Sequence, residues 1–184
     1  MKKVFSIKKK INTFNQKISI SGDKSLSIRW VLLASQAVGK SKAYNLLMSE
    51  DVMSAIDSIK KLGIKVKLNK NYCEIYGNGI NGFKYKKNLI LNAKNSGTLG
   101  RLILGLLIRS PYKIKLIGDR SLSKRDFSRI TTPLKKFGAK FYYKTKNKLP
   151  LSILGAKSLE GINYLENKGS AQCKSSVMLA ALNA

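Results

Sequence analysis

The sequence predicts an α/β fold made of repeated β/α units, two complete and a third begun, and three observations predict it. Segments rich in small residues, at 21–29, 95–101 and 169–174, each open onto an apolar run that reads as a buried helix, at 30–34, 102–108 and 177–182. After each of the first two helices the pattern runs strand, helix, strand, strand. Landmarks also recur at nearly constant spacing, 72 residues from Arg29 to Arg101, 73 from Arg101 to Lys174 and 75 from Gly63 to Gly138. That is an internal repeat of about 73 residues. Lys60-Lys61-Leu62-Gly63-Ile64-Lys65 and Lys135-Lys136-Phe137-Gly138-Ala139-Lys140 show the likeness directly.

In chain order, residues 17–20 alternate polar and apolar and are expected as a short strand feeding Gly22. The first helix is expected over 27–37 with Gly39 as its stop, and 42–47 as the next strand. The second helix, 50–62, sets Val52, Ile56, Ile59 and Leu62 on one face and carries Glu50 and Asp51 in its first turn, where they complement the dipole. Gly63 caps its end. Residues 64–68 and 72–76 alternate strictly about Asn69-Lys70-Asn71 and form a hairpin. In the second unit the helix is 102–108, the strand 113–117, the next helix 123–137 with Gly138 after it, and the strand pair 139–143 and 149–153. The third unit opens at Gly169. Its helix reaches Ala184 without a capping signal, so the sequence is expected to be the front of a longer chain.

With 43% hydrophobic residues in 184, a sizeable core can form. The net charge of +27, from 36 Lys and Arg against 9 Asp and Glu, raises nucleic acid as a partner. Only six of those basic residues are Arg, the Lys are scattered among Asn and Ile, and no nucleic-acid motif is present, so no nucleic-acid partner is expected. Cys73 and Cys173 lie far apart and His is absent, which supports neither a disulfide framework nor a common zinc site. The apolar part of the N-terminus is too short for a signal peptide, and no run approaches membrane-spanning length. The expectation is a cytoplasmic monomer with no membrane partner.

The three helix starts suggest chemistry. A first helical turn has free N–H groups and the positive end of the dipole, a natural seat for phosphate or carboxylate. Lys24 and Arg29 add charge at the first, and Gly97 would let an anion approach the backbone at the second. At 118–126, Ser123 and Asp126 have capping-box spacing, while Lys124 and Arg125 bring positive charge into the same turn. Arg120 and Arg129 read as solvated. Residues 34–41 fit a permissive phosphate-binding loop, but a helix leads in and a strand leads out, the reverse of what that motif needs, and they read as a helix stop. Asp23, Glu50, Asp51, Asp119 and Asp126 mostly stand at cap positions, so no proton-transfer group is nominated. An anionic small-molecule substrate is expected.

Four segments together resemble the EPSP synthase (5-enolpyruvylshikimate-3-phosphate synthase) family of the shikimate pathway. They are Gly22-Asp23-Lys24-Ser25-Leu26-Ser27-Ile28-Arg29, Asn95-Ser96-Gly97-Thr98-Leu99-Gly100-Arg101, Ser121-Leu122-Ser123-Lys124-Arg125 and Ser170-Ala171-Gln172-Cys173-Lys174-Ser175. The resemblance implies the enolpyruvyl transferase fold, an inside-out α/β barrel of two domains, each of three β/α units with helices inside and sheets outside. By it, 1–20 is an N-terminal strand segment belonging with the other domain, 21–184 is an incomplete transferase domain, and the remainder of the protein is absent. The implied reaction, in aromatic amino acid biosynthesis, moves the enolpyruvyl group of phosphoenolpyruvate to the 5-hydroxyl of shikimate 3-phosphate through a tetrahedral intermediate, releasing phosphate. No metal or organic cofactor is implied.

Carried over residue by residue, the resemblance makes Lys24 catalytic and in touch with both substrates. Ser25, Arg29, Ser170 and Gln172 hold shikimate 3-phosphate, and Gly97, Arg125 and Gln172 border phosphoenolpyruvate. The acidic residue for proton transfer is expected beyond Ala184, so the 184 residues alone are expected to be inactive. Ile28 replaces a usual polar residue. Asp126 stands where the family has Pro, and its carboxylate is expected to weaken the hold of Arg125. Retention of Gly97 implies sensitivity to glyphosate. The nearest rival, the enolpyruvyl transferase acting on UDP-N-acetylglucosamine, typically has Lys-Asn where this chain has Lys24-Ser25. A basic nucleic-acid-binding module is the rival from another class.

Overall fold

The computed structural model describes residues 4–10 and 12–184. Helix α1 (Lys24–Gln36) starts three residues ahead of expectation, because Asp23 supplies the cap, its carboxylate accepting the Leu26 N–H at 2.7 Å. Ser27 is buried instead, its hydroxyl accepting the Leu47 N–H at 3.1 Å. Strand β1 (Val38–Tyr44) follows at once, so Gly39, expected as the helix stop, lies inside the strand at φ +89°. Residues 34–41 thus run from helix into strand, as read. Helix α2 (Glu50–Lys61) and the Leu62 after it bury Val52, Ile56, Ile59 and Leu62 fully, the face that the periodicity predicts. Gly63 ends it at φ +87°, a conformation glycine adopts without a Cβ penalty.

Strands β2 (Lys65–Leu68) and β3 (Tyr72–Asn78) form the expected hairpin, with Leu68 opposite Cys73. Strand β3 also pairs antiparallel with β1, Tyr44 opposite Tyr72 and Val38 opposite Asn78, giving the order β1-β3-β2. The outward face carries Lys40, Lys42, Lys65 and Lys67, whereas Cys73 and Ile75 point inward and are fully buried.

The second unit comprises β4 (Ile90–Asn92), α3 (Gly97–Leu106), β5 (Ile114–Ile117), α4 (Arg120–Ser123), α5 (Ser128–Lys136), β6 (Lys140–Tyr143) and β7 (Leu151–Leu154). Its sheet runs β4-β5-β7-β6, so β5-β7-β6 repeats the order of β1-β3-β2, and β4 adds in parallel beside β5. Helix α6 (Ala171–Ala181) completes the element order.

Three sequence expectations need correction. The helix expected over 123–137 starts only at Ser128, as α5, while Ser123 ends the short α4, which Asp119 caps by accepting the Leu122 N–H at 2.7 Å. Ser123 donates back to the Gly118 carbonyl at 3.2 Å and Asp126 accepts the Ser128 N–H at 2.5 Å, so no capping box joins them. Phe127, fully buried, sits at the break. Strand β4 escapes prediction because three residues show no period. Residues 17–20 form no strand. Ile18 and Ile20 are each 72% exposed, and a strand needs a neighbour to take its backbone hydrogen bonds, which neither sheet supplies here. Of the segment 1–20 assigned to another domain, residues 1–3 and 11 lie outside the described residues.

At the centre lies α3, with nine of its ten residues buried. It packs beside α6 in the same direction. Gln172 meets Thr98 and Arg101 at their starts, Ser176 donates to the Arg101 carbonyl at 2.9 Å in the middle, and Arg109 donates to the Asn183 carbonyl at 3.3 Å beyond their ends. The backbones approach so closely that a Cβ on Gly105 would stand 2.2 Å from the Ser176 carbonyl oxygen. A Cβ on Gly100, one turn earlier, would meet nothing nearer than 3.5 Å. Gly105→Ala is therefore expected to cost about 1–3 kcal/mol of stability by forcing the helices apart. Gly100→Ala should stay within about 1 kcal/mol of neutral, because better helix propensity offsets mild crowding. Urea unfolding of the two variants checks the contrast, and equal midpoints would refute it.

Candidate functional site

Helices α1, α3 and α6 are capped alike. Asp23 accepts from Leu26, Ser96 from Leu99 at 3.2 Å and Ser170 from Cys173 at 3.3 Å. Each cap satisfies one donor of the first turn and leaves others open to a ligand. Arg29 of α1 donates to the Ser175 hydroxyl of α6 at 3.4 Å, which sets the α1 start beside the other two. The start of α2 ties into this end by two ion pairs, Asp51 with Lys24 at 3.2 Å and Glu50 with Lys94 at 3.1 Å. Glu50 and Asp51 thus reach neighbouring lysines besides complementing their own helix dipole.

Around Gly97 the side chains close in. A Cβ on Gly97 would stand 2.9 Å from Arg125 Nη1 and 3.5 Å from Arg101 Nη1, so the bare glycine leaves room for two guanidiniums. Arg101 donates to Gln172 Oε1, and Gln172 Nε2 donates to Thr98 Oγ1 at 3.0 Å. The Arg101 guanidinium also lies 5.7 Å above the Phe127 ring. Among the described residues no carboxylate comes within 4 Å of Arg29, Arg101 or Arg125. Burial pulls the pKa of Arg101 down, Cys173 opposes this, and the charges of Arg125 and Arg129 add to it. A guanidinium stays charged under such pressure, so the arrangement favours an anion among these arginines.

Of the residues expected in the site, Gly97, Arg125 and Gln172 come together here, and Ser170 caps the helix that carries Gln172. Arg29 joins through Ser175, while its second nitrogen donates to the Ser25 carbonyl at 3.3 Å. Lys24 pairs with Asp51. Asp126 turns to the α5 start, where its bonds to Ser128 hold its pKa down, and forms no ion pair with Arg125.

Thr98 and Arg101 lie in the same cluster, and the resemblance assigned neither a role. Arg101 had a signal, since it occupies the same place in the repeat as Arg29. Among the described residues no three His, Cys, Asp or Glu side chains converge as metal ligands. Nor is any described helix long and apolar enough to cross a membrane.

As expected, Arg129 is exposed, and it also makes an ion pair at the surface. It donates to Glu166 at 2.6 Å, and Glu166 also accepts from the Tyr164 hydroxyl and from the Lys168 N–H at 3.1 Å. This fastens the loop ahead of Gly169 and Ser170 to α5. The Glu166 side chain is only 6% exposed.

Helices enclosed by outward-facing sheets, with their starts gathered into a basic site, define the enolpyruvyl transferase fold. An EPSP synthase structure from Acinetobacter baumannii matches at TM-score 0.84 and 34% identity, covering 90% of this chain and 37% of that one. The family model described as EPSP synthase (3-phosphoshikimate 1-carboxyvinyltransferase) matches residues 8–184. The 3-phosphoshikimate 1-carboxyvinyltransferase of Bacillus subtilis (strain 168) is 41% identical over 176 residues, 95% of this chain and 41% of the relative. The Streptococcus mutans protein of the same name is 40% identical over 168 residues, 91% of this chain and 39% of the relative. The chain belongs to the EPSP synthase family, and it spans about two fifths of the length of these relatives.

The Glu166 contacts make a pH prediction. Hydrogen bonds from Tyr164 and Arg129 pull its pKa from an ordinary 4.5 to about 2. A carboxylate lowered on folding stabilises fully above its unfolded pKa and loses that contribution as pH falls through the folded one. The stability difference between the native chain and Glu166→Gln should hold from pH 7 to 5 and shrink from about 4.5 towards 2. Unfolding of both proteins across that range measures it, and a difference independent of pH would rule out this role.

Proposed function

We propose that this chain forms the anion-binding half-site of an enzyme that transfers the enolpyruvyl group of phosphoenolpyruvate to the 5-hydroxyl of shikimate 3-phosphate and releases phosphate. The observation that carries the reading is the convergence of Arg101, Arg125 and Gln172 on Gly97 at the start of α3, with no carboxylate within 4 Å of the guanidiniums among the described residues. The names and identities of the relatives support the choice of substrates. On this reading Arg29, Ser25, Ser170 and Gln172 hold shikimate 3-phosphate. Gly97 and Arg125 receive phosphoenolpyruvate, and Lys24 exchanges Asp51 for the two substrates. Two anions that repel in water are held side by side, and fixed positive groups stabilise the charge of the tetrahedral intermediate. Residues 1–20 go with a second domain, and the protein acts as a monomer in the cytoplasm, with no nucleic-acid partner.

Calorimetric titration of shikimate 3-phosphate into the chain, with shikimate and UDP-N-acetylglucosamine as controls, tests the substrate. Selective binding that falls at least tenfold in Arg29→Ala is expected, since a lost charge-assisted contact is worth roughly 1.5–3 kcal/mol. Preference for the sugar nucleotide would move the reading to the rival transferase. Gly97→Ala tests the second substrate. Its Cβ meets only the far ends of two flexible side chains, Arg125 at 2.9 Å and Arg101 at 3.5 Å, so the fold should keep its melting temperature. Affinity for phosphoenolpyruvate should drop roughly tenfold while that for shikimate 3-phosphate stays unchanged. Equal losses for both ligands would contradict the assignment of Gly97.

A further inference from the structure

A glutamine amide can present either of two edges, a carbonyl that accepts or an NH₂ that donates, and they differ little in shape. Which one faces an anion matters greatly, because the carbonyl edge repels it. In this chain the choice is made by a neighbour. Arg101 has only donors, so the atom of Gln172 that meets it must be Oε1. Nε2 then lies on the Gly97–Thr98 side, where one of its hydrogens goes to Thr98 Oγ1 at 3.0 Å. The second hydrogen has no partner among the described residues and remains for a ligand.

Arg101 is well placed for this task. Its guanidinium rests over the Phe127 ring at 5.7 Å, its carbonyl is held by the Ser176 hydroxyl at 2.9 Å, and no carboxylate competes for it within 4 Å among the described residues. Reversing the amide would set two donors, Arg101 and Nε2, against each other in a half-buried place.

Resting on the function proposed above, we infer that Arg101 is a positioning residue. It locks the Gln172 side-chain amide with its carbonyl inward and its N–H edge toward the bound anion, so that Gln172 acts as a donor only. Thr98 completes the lock by accepting the other hydrogen. The role differs from simple helix packing, which would need Arg101 but not the orientation of Gln172.

The test uses the 184-residue chain labelled with ¹⁵N, reading the side-chain NH₂ resonances of Gln172, assigned by their loss in Gln172→Ala. Without ligand, Arg101→Met should shift this pair and bring its two proton signals together as the amide gains freedom, whereas Arg101→Lys, which keeps a donor, should restore most of the native separation. An NH₂ pair unmoved in a folded Arg101→Met variant would overturn the inference. Phosphoenolpyruvate titration supplies the second readout. Gln172→Glu, which replaces the donor edge with an acceptor, and Arg101→Met should each weaken binding roughly tenfold. Arg101→Met with Gln172→Ala together should be no weaker than Gln172→Ala alone. Additive losses would show that Arg101 acts directly on the anion and not through Gln172. If the native chain, as a half-site, binds no phosphoenolpyruvate, the NH₂ resonances alone decide the role of Arg101. If Arg101→Met fails to fold, Arg101→Lys and Gln172→Glu carry the test. Native-like NH₂ signals in the former with lost binding in the latter support the lock, and undiminished binding by Gln172→Glu overturns it.

Discussion

The close packing of α3 against α6 is the constraint on which the rest depends. Two helices touch at backbone distance only where one of them lacks a side chain, and Gly105 provides that absence beneath the Ser176 carbonyl. Because the helices run in the same direction, contact at that depth also fixes the relative height of their first turns. Gln172 therefore arrives level with Thr98 and Arg101, and Ser175 level with Arg29. The sheets need only cover the outer side, which explains why their exposed faces can be rich in lysine while the buried helix is almost wholly apolar.

The electrostatics at the helix starts divide into two zones. Near α2, acidic residues neutralise lysines in mutual pairs, so that part is balanced without any ligand. Around Gly97, positive groups stand near one another with only neutral side chains between them, and desolvation acts against the central guanidinium. Such a zone gains more from an anion than an exposed patch does, because burial weakens both water's competition and salt screening. A chain with an excess of 27 positive charges has no shortage of lysines on its surface. What distinguishes this spot is that its cations are arginines, with Arg101 half-buried and held by Gln172 and Arg125 exposed at its edge.

Much of this was legible in the sequence, for physical reasons that can be stated case by case. Val52, Ile56, Ile59 and Leu62 show the helical period because one face of α2 is buried, and the hairpin about Asn69-Lys70-Asn71 shows strict alternation for the same reason. The small residues before α1, α3 and α6 reveal their caps because capping is decided within four residues. Where local signals compete, the reading failed. Ser123 with Asp126 has the right spacing for a cap, yet Ser123 ends the helix that Asp119 caps, and α5 starts only after the buried Phe127. Residues 17–20 alternate correctly but lack a strand to pair with. The link from Arg101 through Gln172 to Thr98, and the Arg129–Glu166 pair, depend on which distant segment lies alongside, and no local pattern encodes that.

That dependence on distance bears on how the chain matures. Arg101 meets Gln172 across 71 residues, and Arg29 meets Ser175 across 146. Loop closure of such lengths is entropically unfavourable, and contacts of this separation form late. During synthesis the first unit can collapse, and the second can follow, while the basic groups around Gly97 still lack their partners from α6. The pocket is complete only once α6 has docked. Any metabolite that binds there recognises only the docked arrangement, and draws the folding equilibrium toward it by mass action.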